Sequence, residues 1–259
     1  MEKRTFIVMV VAVFAAVPAL ASPATVLPGV YTNEEQVQLA ADAGTPVPLW
    51  TGLRIETADH GALVQRVDAF GASLGAPERW QIIESADRVS IRTGRCLRNF
   101  AIVPAGLTII NQSRACAAAG GPTTVTASGM AMVTADGAMI ELQRGRAFAC
   151  DAALLRGDGK AAPPRGDGKA ASWVKTGVML HDAGGRVAVV IDAAVPQRFT
   201  LHLRNIAWPI NPADARLMLA LHTDDADAPA AAALADPAAT RIGVMVGAIA
   251  VRCALVPPR

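Results

Sequence analysis

Aromatic residues are scarce: this 259-residue chain has one tyrosine, six phenylalanines and four tryptophans. An outer-membrane barrel carries aromatic girdles at both interfaces. That shortage, with Pro257-Pro258-Arg259 in place of a closing strand, argues against such a barrel. Lysine occurs only at positions 3, 160, 169 and 175, and the formal net charge is +2. A nucleic-acid binder normally carries a basic stripe to neutralise phosphates, so nucleic acid is not expected as a partner. No segment after residue 21 is long and apolar enough to cross a bilayer as a helix. Nor is there a C-x-x-C pair, or two histidines among His60, His181, His202 and His222 at i,i+2 or i,i+4 spacing. No metal site and no cofactor is therefore expected.

What is present begins with an export signal. Glu2-Lys3-Arg4 supplies a basic start, Phe6 to Val17 an apolar run, and Ala19-Leu20-Ala21 a small-x-small cleavage site. Residues 1–21 thus read as a signal peptide, and the mature chain would begin near Ser22. Alanine richness and the preference for arginine over lysine suggest a GC-rich bacterial genome. The expected location is periplasmic or secreted.

An oxidising compartment lets the four cysteines pair. Cys96 opens an apolar run to Val103, Pro104-Ala105-Gly106 turns, and Leu107 to Ile110 returns. Closing that hairpin brings position 96 opposite about position 114, within reach of Cys116. Cys150 would then pair with Cys253.

The periodicity is that of a mostly β protein, an antiparallel sandwich or barrel-like fold with a short N-terminal helix. Thr32 to Gly44 reads as the helix, with Thr32 and Glu35 at capping-box spacing. Leu49, Thr51, Leu53 and Ile55 alternate with polar neighbours as a half-buried strand does. Short strand candidates follow to Ala254, and Asp136-Gly137 favours a type I′ hairpin turn. Asp225 to Thr240 reads as a connection holding a short helix around Ala230 to Leu234. Residues 22–259 are taken as one domain, with two lobes divided near 117–122 as the alternative. Arg156-Gly157-Asp158-Gly159-Lys160-Ala161-Ala162 recurs from Arg165 to Ala171, as expected of a solvated loop lengthened by duplication.

Chemistry is harder to find. Gly71-Ala72-Ser73-Leu74-Gly75 matches the nucleophile-elbow pentapeptide, but the following Ala76-Pro77-Glu78-Arg79-Trp80 is too short and broken for the supporting helix. His181 and Asp182 are the other catalytic candidates, and adjacent residues rarely orient each other as a triad requires. Each of Glu56, Asp68, Glu84 and Glu141 could join a carboxylate pair only if the fold brought two of them together. His202 and His222 are expected at the surface or a strand edge. Trp50 and Trp208 are the candidate binding aromatics, for stacking on sugar rings. The leading expectation is a non-catalytic envelope or secreted protein that binds a partner protein or a cell-surface glycan. The alternative is a periplasmic hydrolase using Ser73 or a carboxylate pair.

Overall fold

The computed structural model describes residues 27–155, 175–191, 197–206, 214–223 and 228–257. The expected signal peptide, the duplicated loop, Trp173 and Trp208 lie outside them. The described chain is mostly antiparallel β structure with a single α-helix.

Ten strands form a closed barrel: β1 (Gly29–Thr32), β2 (Gly52–Ala58), β3 (Gly61–Val67), β4 (Glu78–Glu84), β5 (Arg88–Thr93), β6 (Cys96–Val103), β7 (Gly106–Gln112), β8 (Gly121–Thr126), β9 (Gly129–Val133) and β10 (Met139–Gly145). Each pairs with its neighbour in sequence, and β1 closes the ring between β2 and β10. Closure leaves no unpaired edge. Inward positions alternate: Leu53 and Ile55, Ala62 and Val64, Val89 and Ile91 are all buried in the barrel core. Tyr31 of β1 is fully buried there, and its hydroxyl donates to the Leu27 carbonyl at 2.9 Å. Burial pushes its phenol up to about 12.

The chain then builds two four-stranded sheets. The first contains β11 (Ala147–Leu154), β12 (Lys175–His181), β17 (Arg241–Val246) and β18 (Ile249–Leu255), in the order β12-β11-β18-β17. The second runs β13 (Ala183–Ile191), β14 (Gln197–Ile206), β15 (Arg216–Thr223) and β16 (Ala231–Ala235). Phe148, Ile191, Leu201, Leu219 and Val251 from both sheets share one core. Gly121 and Pro122, at the boundary considered between lobes, open β8 inside the barrel; the sheets change at Arg146.

Both disulfides form as the hairpin register requires. Arg98 pairs with Gln112 across β6 and β7, which sets Cys96 near Cys116, 4.6 Å apart at Cα. Cys150 and Cys253 face each other directly across β11 and β18.

Several local expectations are corrected. The N-cap falls one residue later than expected: Thr32 ends a strand, and α1 runs Glu34–Asp42 with Asn33 at its N-cap, whose own side chain does not cap. The Thr32 hydroxyl accepts from the Glu34 N–H at 3.4 Å and donates to the Ala183 carbonyl, a partner on another sheet. Leu49 does not alternate inward: β2 begins at Gly52, and Leu49 is 79% exposed on the preceding loop. Asp136-Gly137 does not form a type I′ turn. The Gly137 N–H donates to Thr134 O and only Gly137 has a positive φ, +86°, whereas type I′ needs positive φ at both central residues. Ala231–Ala235 is an edge strand, not a helix, because Ala231, Ala233 and Ala235 pack on the sheet core. Pairing and packing override the helical preference of alanine there.

Candidate functional site

Helix α1 begins where the barrel meets the β13–β16 sheet, and its first residue, Glu34, is only 7% exposed. Trp50 Nε1 donates to Glu34 Oε2 at 2.7 Å. Arg186 Nη2 lies 3.6 Å and His202 Nε2 3.3 Å from Glu34 Oε1. The His202 approach is within ion-pair range but not aligned as a hydrogen bond. Arg186 and His202 stand opposite each other on β13 and β14, so this sheet face presents its cations to one carboxylate. Burial works to raise the Glu34 carboxyl, but His202, the Trp50 N–H and Arg186 together hold it below its ordinary value. Burial keeps His202 below its ordinary value, against the pull of Glu34. His202 is 4% exposed, so the expectation of a surface position is overturned: β14 is an interior strand whose outer face is covered by the helix start.

Asp182 and His181 belong to the same junction. Asp182 is buried and accepts from the Arg146 main-chain N–H at 2.7 Å and Arg146 Nε at 2.6 Å. Its carbonyl accepts from Asn205 N at 2.7 Å. The carboxylate therefore clamps the link between barrel and sheets. His181 Nδ1 has no hydrogen-bond partner. Burial pushes the imidazole down to about 4, with Asp182 opposing. Between about pH 6.5 and 4 the unfolded chain takes up a proton that folded His181 refuses. Stability is therefore level above that window and falls with pH inside it. His181 alone is expected to contribute a loss of about 2 kcal/mol from pH 7 to pH 5, to which His202, also held low by burial, adds in the same direction. Urea unfolding at the two pH values measures it, and His181→Gln should shrink the difference.

Ser73 sits apart. It is exposed in the turn after β3, forms an isolated bridge with Val67, and makes no hydrogen bond or ion pair with His181 or Asp182. Asp68 caps that turn by accepting from Phe70 N and Ala72 N, both at 2.9 Å. Glu56, Glu84 and Glu141 are exposed on barrel strands. Glu141 borders a groove of about 360 Å³ along α1 with Glu35, whose carboxyl is raised by burial first and by Glu141 second. Among the described residues no group of three or more His, Cys, Asp or Glu side chains is arranged to hold a metal ion.

The enclosed volume lies elsewhere, at the barrel end where β2, β4, β6, β8 and β10 begin. A cavity of about 600 Å³ opens there, walled by Leu53, Val64, Trp80, Met132 and Ile140. Leu49 and Met139, respectively 79% and 53% exposed, stand on its rim. Trp80 is buried, and its indole N–H donates to Glu78 at 3.0 Å. Arg98, only 3% exposed, also lines the cavity, with its guanidinium against Gly120 and Gly121. Cys96, Arg98 and Phe100 are the alternate buried residues of β6, so Arg98 occupies an inward position. The Cys96–Cys116 disulfide ties a 3-10 turn at Arg114–Cys116 to β6, just before the rim segment Ala119–Pro122. Arg98 Nη2 donates to Gly120 O. A Cβ at Gly121 would come within 2.6 Å of Arg98 Nη1, so a side chain there would push the guanidinium aside, and the φ of +133° also favours glycine.

Sequence reading did not single out Arg98 or this cavity. The available signal was a cation on the inward alternation of β6, between Cys96 and Phe100. Comparisons with protein-family models, with curated proteins and with solved structures find no match.

Proposed function

We propose that this chain is an exported, non-catalytic binding protein of the bacterial envelope that takes a small, largely apolar molecule into the mouth of its barrel. The carrying observation is the 600 Å³ cavity with an apolar wall and exposed Leu49 and Met139 on its rim. Small-molecule sites are concave, mostly apolar, contain a few polar groups, and occur in barrel mouths. Two disulfides and the absence, among the described residues, of a helix long and apolar enough to cross a membrane are consistent with export.

The hydrolase alternative has less support. Ser73 lies in an exposed turn without a base at hand, and Glu35 and Glu141 border a smaller groove. Trp50 is engaged by Glu34, which removes its N–H from sugar recognition.

Titration with the neutral dye Nile red tests the binding reading. Saturable fluorescence is expected from the wild type. Ala76→Trp, at an exposed rim position, should plug the mouth and weaken binding at least about 10-fold while leaving stability within about 0.5 kcal/mol. Equal binding by both proteins would place the dye elsewhere.

A further inference from the structure

Arg98 is a buried cation without an anion. Among the described residues its guanidinium makes one hydrogen bond, to the Gly120 carbonyl, and no ion pair. A guanidinium has five N–H donors, and burying a charge without a partner is costly. Glu78 draws on Arg98 electrostatically, yet it lies beyond ion-pair distance, is exposed, and is tied to the Trp80 N–H. Asp136 on the rim accepts from Thr134 Oγ1 and caps its own hairpin. Arg66, the other cation on the wall, is exposed and needs no partner. Among the charged residues lining the cavity only Arg98 therefore joins burial, positive charge and unused donors, and it stands beside the apolar wall formed by Leu53, Val64 and Trp80. Gly121 keeps the guanidinium in place from one side, and the neighbouring disulfide holds the Gly120 segment against it.

We infer that Arg98 is an anion subsite, and that the ligand is an amphipathic carboxylic acid whose head meets Arg98 beside Gly120 and Gly121 and whose apolar body lies against Leu53, Val64 and Trp80. This rests on the mouth being a ligand site. A carboxylate suits the position because it takes two parallel N–H donors from a guanidinium. Its single charge matches the one buried cation.

The test is calorimetric titration of the disulfide-intact protein with decanoate and with 1-decanol. An apolar pocket without an anion subsite would favour the alcohol, the more hydrophobic of the two. The wild type should instead bind decanoate about 10- to 100-fold more tightly, as a charge-assisted hydrogen-bond pair warrants. Arg98→Met should abolish that preference and leave decanol affinity within about threefold; Arg98→Lys should retain part of it. Decanoate binding no tighter than decanol in the wild type would overturn the anion subsite while leaving the mouth as an apolar site. Binding of neither would overturn both readings. Arg98-dependent sedimentation with phosphatidylglycerol vesicles, without binding of free decanoate, would overturn it in favour of a membrane headgroup. If Arg98→Met fails to fold, the acid-over-alcohol preference of the wild type still decides.

Discussion

Replacing Asp182 with alanine is expected to cost about 3 kcal/mol of folding stability. Asp182 is 1% exposed, and both its carboxylate oxygens are used, one by the Arg146 main-chain N–H and one by its guanidinium. Deleting the carboxylate strands both donors at the link between barrel and sheets. Removing one partner of a fully buried ion pair typically costs about 3–5 kcal/mol. The Arg146 side chain is 35% exposed and keeps its bond to the Pro237 carbonyl, so the lower end applies. Asp182→Asn preserves the shape and one acceptor, and should cost about 1 kcal/mol. Urea unfolding of the three proteins checks the order. A loss equal in both variants would mean that the charge, rather than shape or a single acceptor, is what Asp182 supplies, and would contradict the expected order.

The second large effect is that of the long disulfide. Cys150 and Cys253 are 103 residues apart in sequence, and Cys96 and Cys116 only 20. A cross-link stabilises chiefly by restricting the unfolded chain, and the restriction grows with the loop it closes. Loop entropy gives about 4–5 kcal/mol for the longer and about 3 kcal/mol for the shorter. The Cys150→Ala/Cys253→Ala double variant should therefore lose more stability than Cys96→Ala/Cys116→Ala. All four sulfurs are buried, so the loss of packed sulfur is common to both variants and loop length sets the difference. Denaturant unfolding of the two double variants measures the difference. A larger loss from Cys96–Cys116 would show that local order at the barrel mouth outweighs chain entropy.

Much of the fold can be read from residue alternation. The Cys96–Val103 strand has the bounds its apolar run implies, and the turn at Pro104–Gly106 sets the register that joins Cys96 to Cys116. Elements whose state is decided by tertiary contact could not be read this way. β1 is four residues long and becomes a strand because β2 and β10 pair with it on both sides. Ala231–Ala235 has a helical composition and is held extended by β15.

The sites divide on the same line. Glu34 reads as an ordinary acidic residue at a helix start, suited to the dipole. Its burial against His202 and Arg186 depends on which sheet face meets the helix, and sequence spacing does not encode that. Trp50 reads as a candidate sugar-stacking aromatic, outward or in a second layer, and in the structure it is half-buried with its N–H on Glu34. Arg98 was legible in principle, because Cys96 and Phe100 on the same alternation mark it as inward. What the sequence does not show is that the inside of the barrel is left partly open there.

The central claim is that the barrel mouth receives a ligand, and amide chemical-shift mapping tests it most directly. Titrating neutral 1-decanol into ¹⁵N-labelled protein keeps this test separate from the charge of Arg98. The account predicts saturable shifts at the Trp80 indole N–H and at the amides of Thr93, Gly121 and Ile140, which line the cavity. Core amides of the two sheets, such as Leu201 and Leu219, should stay unmoved. Saturable shifts confined to the sheets, or none at the mouth, would contradict it.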